Sequence, residues 1–426
     1  MMRVAVFGSG GREHALCWRM LQDSVPPEIT CFPGNPGIKK IVHACEPMRG
    51  NLFEFTDSLR GRFDLAVIGP ELLLEKGLAD RLREVGIPTF GPSAHAARIE
   101  TSKLFGKALM DQYGIQTAKW LVASTLDTVR VAVTELRGPP VVIKADGLCA
   151  GKGVFVADGW KEVEGAIHAI FVENRFGNTS PTVIIEDKLS GIEASFIGIS
   201  DGYHFVSLAC SMDYKQAFEG DGGDNTGGMG AHSPSFVLTD SQFVHMTVVM
   251  NKVVRALFDI NREFRGALYA GLMIAPDGRI YILEFNARFG DPETQVLMWR
   301  LKQDLTPLLF SCAIGNMTER DIAFSDDAAS CVTLTSAPYP KTPIVGEHII
   351  GMSEAEKVPG VQIFHAGTAL QQDGTLVTAG GRVLSVCAIG GTLEQSLVPA
   401  YAASHRLSWT HKNLRGDIGC RVGIKA

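Results

Sequence analysis

In ILEFNARFGDPE, residues 282–293, an acid, an amide and a guanidinium recur two positions apart: Glu284, Asn286 and Arg288. Side chains alternate faces along a strand, so on a strand these three share one face. Leu283, Phe285 and Ala287 would then form the opposite, apolar face. Oxygen donors of this kind suit Mg²⁺, which needs near-octahedral geometry at about 2.0–2.1 Å and commonly bridges one or two protein oxygens to nucleotide phosphates. Arg288 could hold phosphoryl or carboxylate oxygens in the same place through paired charge-assisted hydrogen bonds. The alternative is a solvated polar strand face whose ion pairs stabilise little. The apolar opposite face and the Gly-Asp-Pro turn that follows favour a site.

A second candidate is IKADGLCAGKGVFVA, residues 143–157. Lys144 ends an apolar run, and Gly147, Gly151 and Gly153 surround Lys152 before a second run begins. The P-loop pattern G-x-x-x-x-G-K-[ST] fails here. Three residues, not four, separate Gly147 from Gly151, and Gly153 stands where a Mg²⁺-binding hydroxyl is required. Both flanks are β-rich, so the helix N-terminus that faces phosphate in a P-loop is missing. The expected element is a hairpin with a glycine tip that can close over phosphates as a flap. The loop alone is equally compatible with an ordinary hairpin and a solvated lysine. Farther on, Glu186 closes TVIIE and Glu193 opens the next strand. A carboxylate there can accept both ribose hydroxyls while the intervening backbone meets adenine. Singly, each reads as a surface acid.

Elements must position these groups. Over residues 1–100, apolar strands RVAVFG, EITCFPGN, FDLAVIGPE and GIPTFGPS alternate with helical spacing, which argues a parallel α/β sheet. Each strand ends in a turn-rich peptide, and in such sheets ligands bind at the carboxyl ends of strands. GSGGRE resembles a dinucleotide fingerprint but has Glu13 in place of the third glycine, and Pro33 replaces the acid that should end the second strand. Arg12 beside backbone amides suits a single phosphate better. Residues 120–190 read as a small α+β unit carrying the flap, and ASFIGISDGYHFVSLA as a hairpin turning at SDG. Residues 211–234 hold six glycines and little periodicity, which predicts a long functional loop. A helix around 240–259, a strand pair around a P-D-G turn, a helix at 303–315 and a last α/β segment from 330 complete the chain.

Composition narrows the class. The chain has 426 residues, enough for two to four domains. Its 46 glycines exceed the usual share of about 7%. The net charge of −6 and the lack of a basic block argue against nucleic acid as partner. The nine cysteines show no C-x-x-C pair, which suits reduced thiols of a cytoplasmic protein. MMRVAVFGSGG enters a strand at once and is no signal peptide. No apolar run approaches the roughly 18 residues of a membrane span.

Together these pieces resemble the ATP-grasp enzymes and, more closely, the family of phosphoribosylamine–glycine ligases. The carriers are GSGGREHAL, PGNPG, VIGPE, FGPS, IKADGLCAGKGV, NTGGMGAHSP, YAGLMI, LEFNARFGDPETQ, FHAGT and GGRVL, in that order between residues 8 and 384. The resemblance implies an α/β and α+β multidomain fold. It has an N-terminal parallel α/β (pre-ATP-grasp) domain over 1–102, an ATP-grasp domain over 103–325 with a mobile flap subdomain at about 120–190, and a small C-terminal α/β domain over 326–426.

It also implies ATP-dependent ligation of glycine to 5-phosphoribosylamine through glycyl phosphate, in purine biosynthesis. Lys103, Lys144, Gly151, Lys152 and Gly153 would meet the phosphates of ATP, Glu186, Asp187 and Leu189 the adenine, and Glu193 the ribose. Glu284 and Asn286 would hold Mg²⁺ or Mn²⁺. Arg288 and Asp213, catalytic together with Lys144, would position glycine and its acyl phosphate. Gly10, Gly11, Arg12, Glu13, Asn35 and Glu71 would hold the phosphoribosylamine. The implied partners are small molecules only, with neither nucleic acid nor membrane, and the expected state is a cytoplasmic monomer.

Four positions depart from the family pattern: Tyr214 for His, Asp224 for Pro, Ile192 for an acid, and TSAPYP for a more glycine-rich stretch. A phenol near pKa 10 cannot titrate near neutrality as His can. Activity is expected to survive with altered affinity for glycine or phosphoribosylamine. Two other readings compete: a sister ATP-grasp carboxylase using bicarbonate, and a non-catalytic nucleotide sensor. PGNPG and GGREH favour the ligase over the first, and the intact set Lys144, Glu284, Asn286 and Arg288 argues against the second.

Overall fold

The computed structural model describes residues 1–149, 153–177, 181–319 and 321–420. Gly151 and Lys152, expected at the flap tip, lie outside the described residues.

The first sheet is five-stranded and parallel, with Ala44–Cys45 at one edge, then Glu28–Pro33, Arg3–Gly8, Leu65–Ile68 and Thr89–Phe90. Its central strands are apolar on both faces because helices cover both. The edge strand at 44–45 was not legible: two residues of ordinary hydropathy carry no period.

A second, four-stranded antiparallel sheet runs Phe205–Ser207, Ile192–Gly202, Phe264–Ile274, Ile280–Asn286. It shares a core with the first: Phe7, Ile68 and Leu78 pack in one cluster with Phe196, Leu272 and Phe285. The hairpin turns at SDG as expected: Ser200 pairs with Phe205, the turn runs over Asp201–His204, and Gly202 takes the positive φ it needs. One expectation changes here: the simple alternation at 282–288 breaks. The register skips Leu283, since Gly271 faces Glu284 and Leu272 faces Ile282. This bulge sends Ile282 into the core and leaves Leu283 on the wall of a cavity, whereas Phe285 and Ala287 are buried as expected.

The flap unit has a four-stranded antiparallel sheet of its own, ordered Trp120–Ala123, Val183–Asp187, Val141–Ala145, Val154–Ala157. Its private core includes Val129, Val133, Ile143, Val163 and Ile185. Lys144, the last residue of Val141–Ala145 to pair across the hairpin, faces Val154, which begins the other strand, so the two bracket the glycine stretch as the sequence suggested.

A fourth sheet overturns the long-loop expectation. Residues 211–234 contain strands Met212–Asp213, Gln216–Phe218, Gly222–Asn225 and Gly230–Ser233. The first and last of these pair into a sheet with Ala328–Ser336, Arg382–Gly390 and Val361–His365. Glycine-rich strands of two to four residues have no readable period; they are defined by pairing with one another and, through Gly230–Ser233 alone, with Ala328–Ser336. Among the described residues no helix is long and apolar enough to cross a membrane.

Candidate active site

One cavity of about 1660 Å³ opens where these units meet. At one end lie the lysines. Lys103 begins helix Lys103–Gln112, capped by Ser102, and its Nζ donates to the Gly147 carbonyl at 2.8 Å. Lys144 Nζ sits 2.9 Å from Glu186 Oε1 and donates to the Leu283 carbonyl at 3.2 Å. Lys107 Nζ reaches the other oxygen of Glu186 at 2.9 Å and donates to Thr117 Oγ1 at 2.6 Å. Two ammonium groups thus share one buried carboxylate. Burial pushes the Lys107 ammonium down to about 8, Glu186 pulls the other way, and Lys144 adds to the depression. Removing Lys107 leaves Glu186 with a single counter-ion that is itself aimed at the cavity. Lys107→Met is expected to lower the unfolding free energy by about 3 kcal/mol, the low end for breaking a buried pair, measured by urea titration.

The middle of the cavity carries Glu284 and Asn286. Burial alone would raise the Glu284 carboxyl, but Lys215, Lys144, Lys103 and Arg288 outweigh it and hold the group below its usual value. Arg288 is gripped from three sides: Nε to Glu71 Oε2 at 3.2 Å, Nη2 to Glu100 Oε1 at 3.4 Å, and Nη2 to Asn286 Oδ1 at 3.3 Å. Glu100 Oε2 also accepts the Ala287 N–H at 2.7 Å. Desolvation lifts Glu100 to about 7, opposed by Arg288 and reinforced by Glu71. Its proton is bound more tightly in the folded than in the unfolded chain. That contribution is therefore present in full below pH 4.5 and is lost as pH rises through about 7. Glu100→Gln, which keeps the neutral form, is expected to match the wild type near pH 4.5 and to exceed it by about 3 kcal/mol above pH 7.5. Chemical denaturation at the two pH values checks this.

The other end is built on the first sheet. The Glu13 carboxylate accepts the Gly10 N–H at 2.6 Å and the Arg12 Nε–H at 2.6 Å. A Cβ on Gly69 would lie 1.8 Å from Glu13 Oε1, so only glycine lets the 69 turn close over this acid. Arg12 in turn donates to the Phe289 carbonyl at 3.1 Å, which joins the first loop to the Arg288 strand end. Strand Met212–Asp213 at the edge of the fourth sheet brings Asp213, which accepts from Ser195 Oγ at 3.3 Å, and the link after it brings Lys215, whose Nζ is 3.2 Å from Glu193 Oε2. Arg382 pairs with Asp291 at 3.2 Å and closes the wall.

The cavity wall thus includes Lys103, Lys144, Gly153, Glu186, Asp187, Leu189, Glu193, Gly10, Arg12, Glu13, Glu71, Asp213, Glu284, Asn286 and Arg288. Gly11 and Asn35 are not on it. Gly11 packs against Gln295, to which a Cβ would come within 2.7 Å. The Asn35 side chain caps helix Pro36–Ile41 by accepting the Ile38 N–H and donates to the carbonyls of Ser9 and His365. Its capacity is used in holding the loop rather than in facing the cavity. Tyr214, the departure of most concern, is fully buried and points away from the cavity. It packs with Met212 and Ile418, with Ile192 against the same cluster.

Sequence reading missed Glu100, Lys107, Lys215, Asp291 and Arg382. Two had a usable signal: Lys107 lies one helical turn past Lys103 on the same face, and Lys215 lies two residues past Asp213 on a strand-like stretch. Asp291 and Arg382 lie inside recognised motifs, the Gly-Asp-Pro turn and GGRVL, without having been singled out, and Glu100 has no local mark.

Residues 2–100, 101–294 and 329–421 match, in that order, the N domain, the ATP-grasp (A) domain and the C domain of phosphoribosylglycinamide synthetase. The chain belongs to this synthetase family. The phosphoribosylamine–glycine ligase of Xylella fastidiosa (strain 9a5c) is 41% identical, with 99% of this chain and 97% of that protein covered. The ligase of Escherichia coli O157:H7 is 39% identical, with 99% of both covered. The crystal structure of the Thermotoga maritima ligase superposes with a TM-score of 0.83 at 33% identity, covering 98% of this chain and all of the other. A Campylobacter jejuni biotin carboxylase in complex with β,γ-ATP shares the fold, with a TM-score of 0.74 at 14% identity over 97% of this chain and 93% of that one. The architecture expected of a synthetase of this family is therefore the one observed: a parallel α/β unit, an ATP-grasp unit with a flap, and a third α/β unit.

Proposed function

We propose that the cavity carries out ATP-dependent ligation of glycine to 5-phosphoribosylamine through glycyl phosphate. The observation that carries this reading is the convergence, in a single cavity, of the Lys103/Lys144/Glu186 end, the Glu284–Asn286–Arg288 face and the Arg12–Glu13 loop. The working division of the chain is 1–102, 103–325 with the flap at about 120–190, and 326–426.

A carboxylate is a poor electrophile because its charge repels an amine. Phosphoryl transfer from ATP to the glycine carboxylate gives a mixed anhydride with phosphate as leaving group. Lys103, Lys144 and the flap cradle the phosphates. When Lys144 turns from Glu186 to phosphate, Lys107 stays 2.9 Å from the acid and keeps it from becoming an unpaired buried charge. Glu186 to Leu189 meet adenine, and Glu193 the ribose. Arg288 holds the glycine carboxylate and then the acyl phosphate, its fork aimed by Glu71 and Glu100, while Asp213 faces it across the cavity.

Glu284 and Asn286 suit a divalent cation. The acid is kept ionised by surrounding lysines, and a carboxylate with a carboxamide oxygen is a donor set for an ion shared with phosphates. Among the described residues there is no cluster of three or more His, Cys, Asp or Glu that would form a closed protein cage. Mg²⁺ or Mn²⁺, when bound there, offsets charge on the transferring phosphoryl group. Gly10, Arg12, Glu13 and Glu71 hold phosphoribosylamine, whose amine attacks the acyl carbon and expels phosphate, its proton passing to solvent or phosphate. Holding the two reactants together is worth roughly 7–11 kcal/mol of barrier, and a closed flap keeps water off the anhydride.

The same reading makes the enzyme a cytoplasmic monomer, the second part checked by sedimentation. The deciding assay is ADP release with glycine and phosphoribosylamine together against each alone. Turnover only with both supports the ligase. Turnover with bicarbonate in place of glycine would move the assignment to a carboxylase, and no turnover under any of these conditions would leave a nucleotide sensor.

A further inference from the structure

Arg415 carries a charge yet is 1% exposed, and it does not touch the cavity. Its guanidinium donates to Asp417 at 2.7 and 2.6 Å, to Asp221 Oδ1 at 3.1 Å and to the Gln216 carbonyl at 3.1 Å, and it lies over the Tyr214 ring at 5.2 Å. The following residues continue the contact. The Gly416 N–H donates to Glu219 Oε1 at 2.9 Å, Asp417 accepts the Gly220 N–H at 2.9 Å, and the Gly419 N–H donates to the Tyr214 hydroxyl at 2.8 Å. From behind, Tyr401 on helix Leu393–Arg406 accepts the Ile418 N–H and donates to the Arg415 carbonyl.

What these contacts hold is the two-stranded hairpin Gln216–Phe218 with Gly222–Asn225. Among the described residues it pairs with no other strand and has two register pairs, Gln216 with Asn225 and Phe218 with Gly222. An isolated two-stranded ribbon is marginal by itself. Its inner side, Gln216, Asp221, Gly223, Asp224 and Asn225, is nonetheless a wall of the cavity. It follows directly on Asp213 and Lys215, and the Gly227 carbonyl just after it accepts from Arg382.

We propose that the segment Arg415–Gly419 is a strap that sets this hairpin over the glycine and phosphoribosylamine end of the cavity, with Arg415 as a positioning residue for the ligation. The choice of substrates rests on the function proposed above. The strap belongs to the fourth sheet's unit and the nucleotide lysines to the flap and first helices, and the hairpin meets the ribose acid only through the Lys215–Glu193 pair, so the strap acts chiefly on acceptor binding and much less on ATP.

The test uses the full chain. Arg415→Met is expected to raise KM for glycine and for phosphoribosylamine at least tenfold while KM for ATP moves less than threefold, and Arg415→Lys to recover part of the loss. If Arg415→Met does not fold, Glu219→Ala and Asp417→Asn, which change partners outside the cavity wall, carry the test with the same split at threefold or more. Variants that lose thermal stability while both acceptor KM values stay within twofold would overturn the proposal, and so would a parallel rise in all three KM values. Should the wild type release no ADP with both acceptors, the function fails first. Limited proteolysis then reads the strap alone: faster cleavage at 218–222 in Arg415→Lys upholds it, and unchanged cleavage ends it.

Discussion

Glu284→Ala is expected to cut kcat for ADP release about a thousandfold, or roughly 4 kcal/mol of transition-state stabilisation. The side chain does two things at once. It is one of two oxygen donors offered to a divalent cation, and it is the acid around which Lys215, Lys144, Lys103 and Arg288 arrange their charge. Without it four cations face each other, so divalent-ion affinity falls and nucleotide binding changes less. Titration with Mn²⁺ followed by electron paramagnetic resonance reads the first effect without turnover. Glu284→Gln separates charge from shape. The folded carboxyl sits below its usual 4.5, so the ionised acid stabilises the wild type above that pH and the advantage vanishes on acidification. The Gln variant is therefore less stable at pH 7, and the gap closes as pH falls below 4.5 through the lowered pKa of the folded acid. A Glu284→Ala enzyme with wild-type kcat would remove the cation from the mechanism.

The second large effect is expected at Arg288. Arg288→Lys keeps the charge but loses the planar fork that reaches Glu71, Glu100 and Asn286 together. Glycine kcat/KM is expected to fall about 100- to 1000-fold, in the range for removing one donor to a developing oxyanion, while KM for ATP changes little. Arg288→Met goes further. Burial already raises Glu100 to about 7, and Arg288 is the largest influence opposing that rise. Without the guanidinium Glu100 stays protonated at neutral pH, so the pH dependence of stability shifts upward along with the loss of rate. A variant that lowers ATP affinity as strongly as glycine turnover would place Arg288 at the nucleotide instead.

Much of this was legible beforehand because the relevant patterns are local. Strands apolar on both faces announce a parallel sheet, and the flap strands bracket a glycine loop at the predicted residues. The acid, amide and guanidinium at 284, 286 and 288 do line one cavity. The failures share a cause. The 211–234 segment reads as loop because its strands are too short for a period; they pair mostly with one another, and only Gly230–Ser233 is tied to a partner more than ninety residues later. Leu283 was placed on the core side because alternation assumes a ladder without a bulge, and the bulge is set by the facing strand at Gly271 and Leu272. Tyr214 read as a site position because it adjoins Asp213, an expected substrate contact, and both its neighbours Asp213 and Lys215 do line the cavity. Only the segment at 418–419, which packs on its ring and hydroxyl, shows that it faces the other way.

The sequence by itself determined the family, most of the order of the elements and the candidate groups for the chemistry, since each motif is a short stretch whose residue types and spacing act through neighbouring backbone. Tertiary structure alone decided the electrostatics. Glu100, Lys107, Asp291, Arg382 and Arg415 matter through charges brought within hydrogen-bonding distance from segments tens to hundreds of residues away. In a desolvated cavity such contacts, which no local pattern encodes, set which groups are charged and where they point.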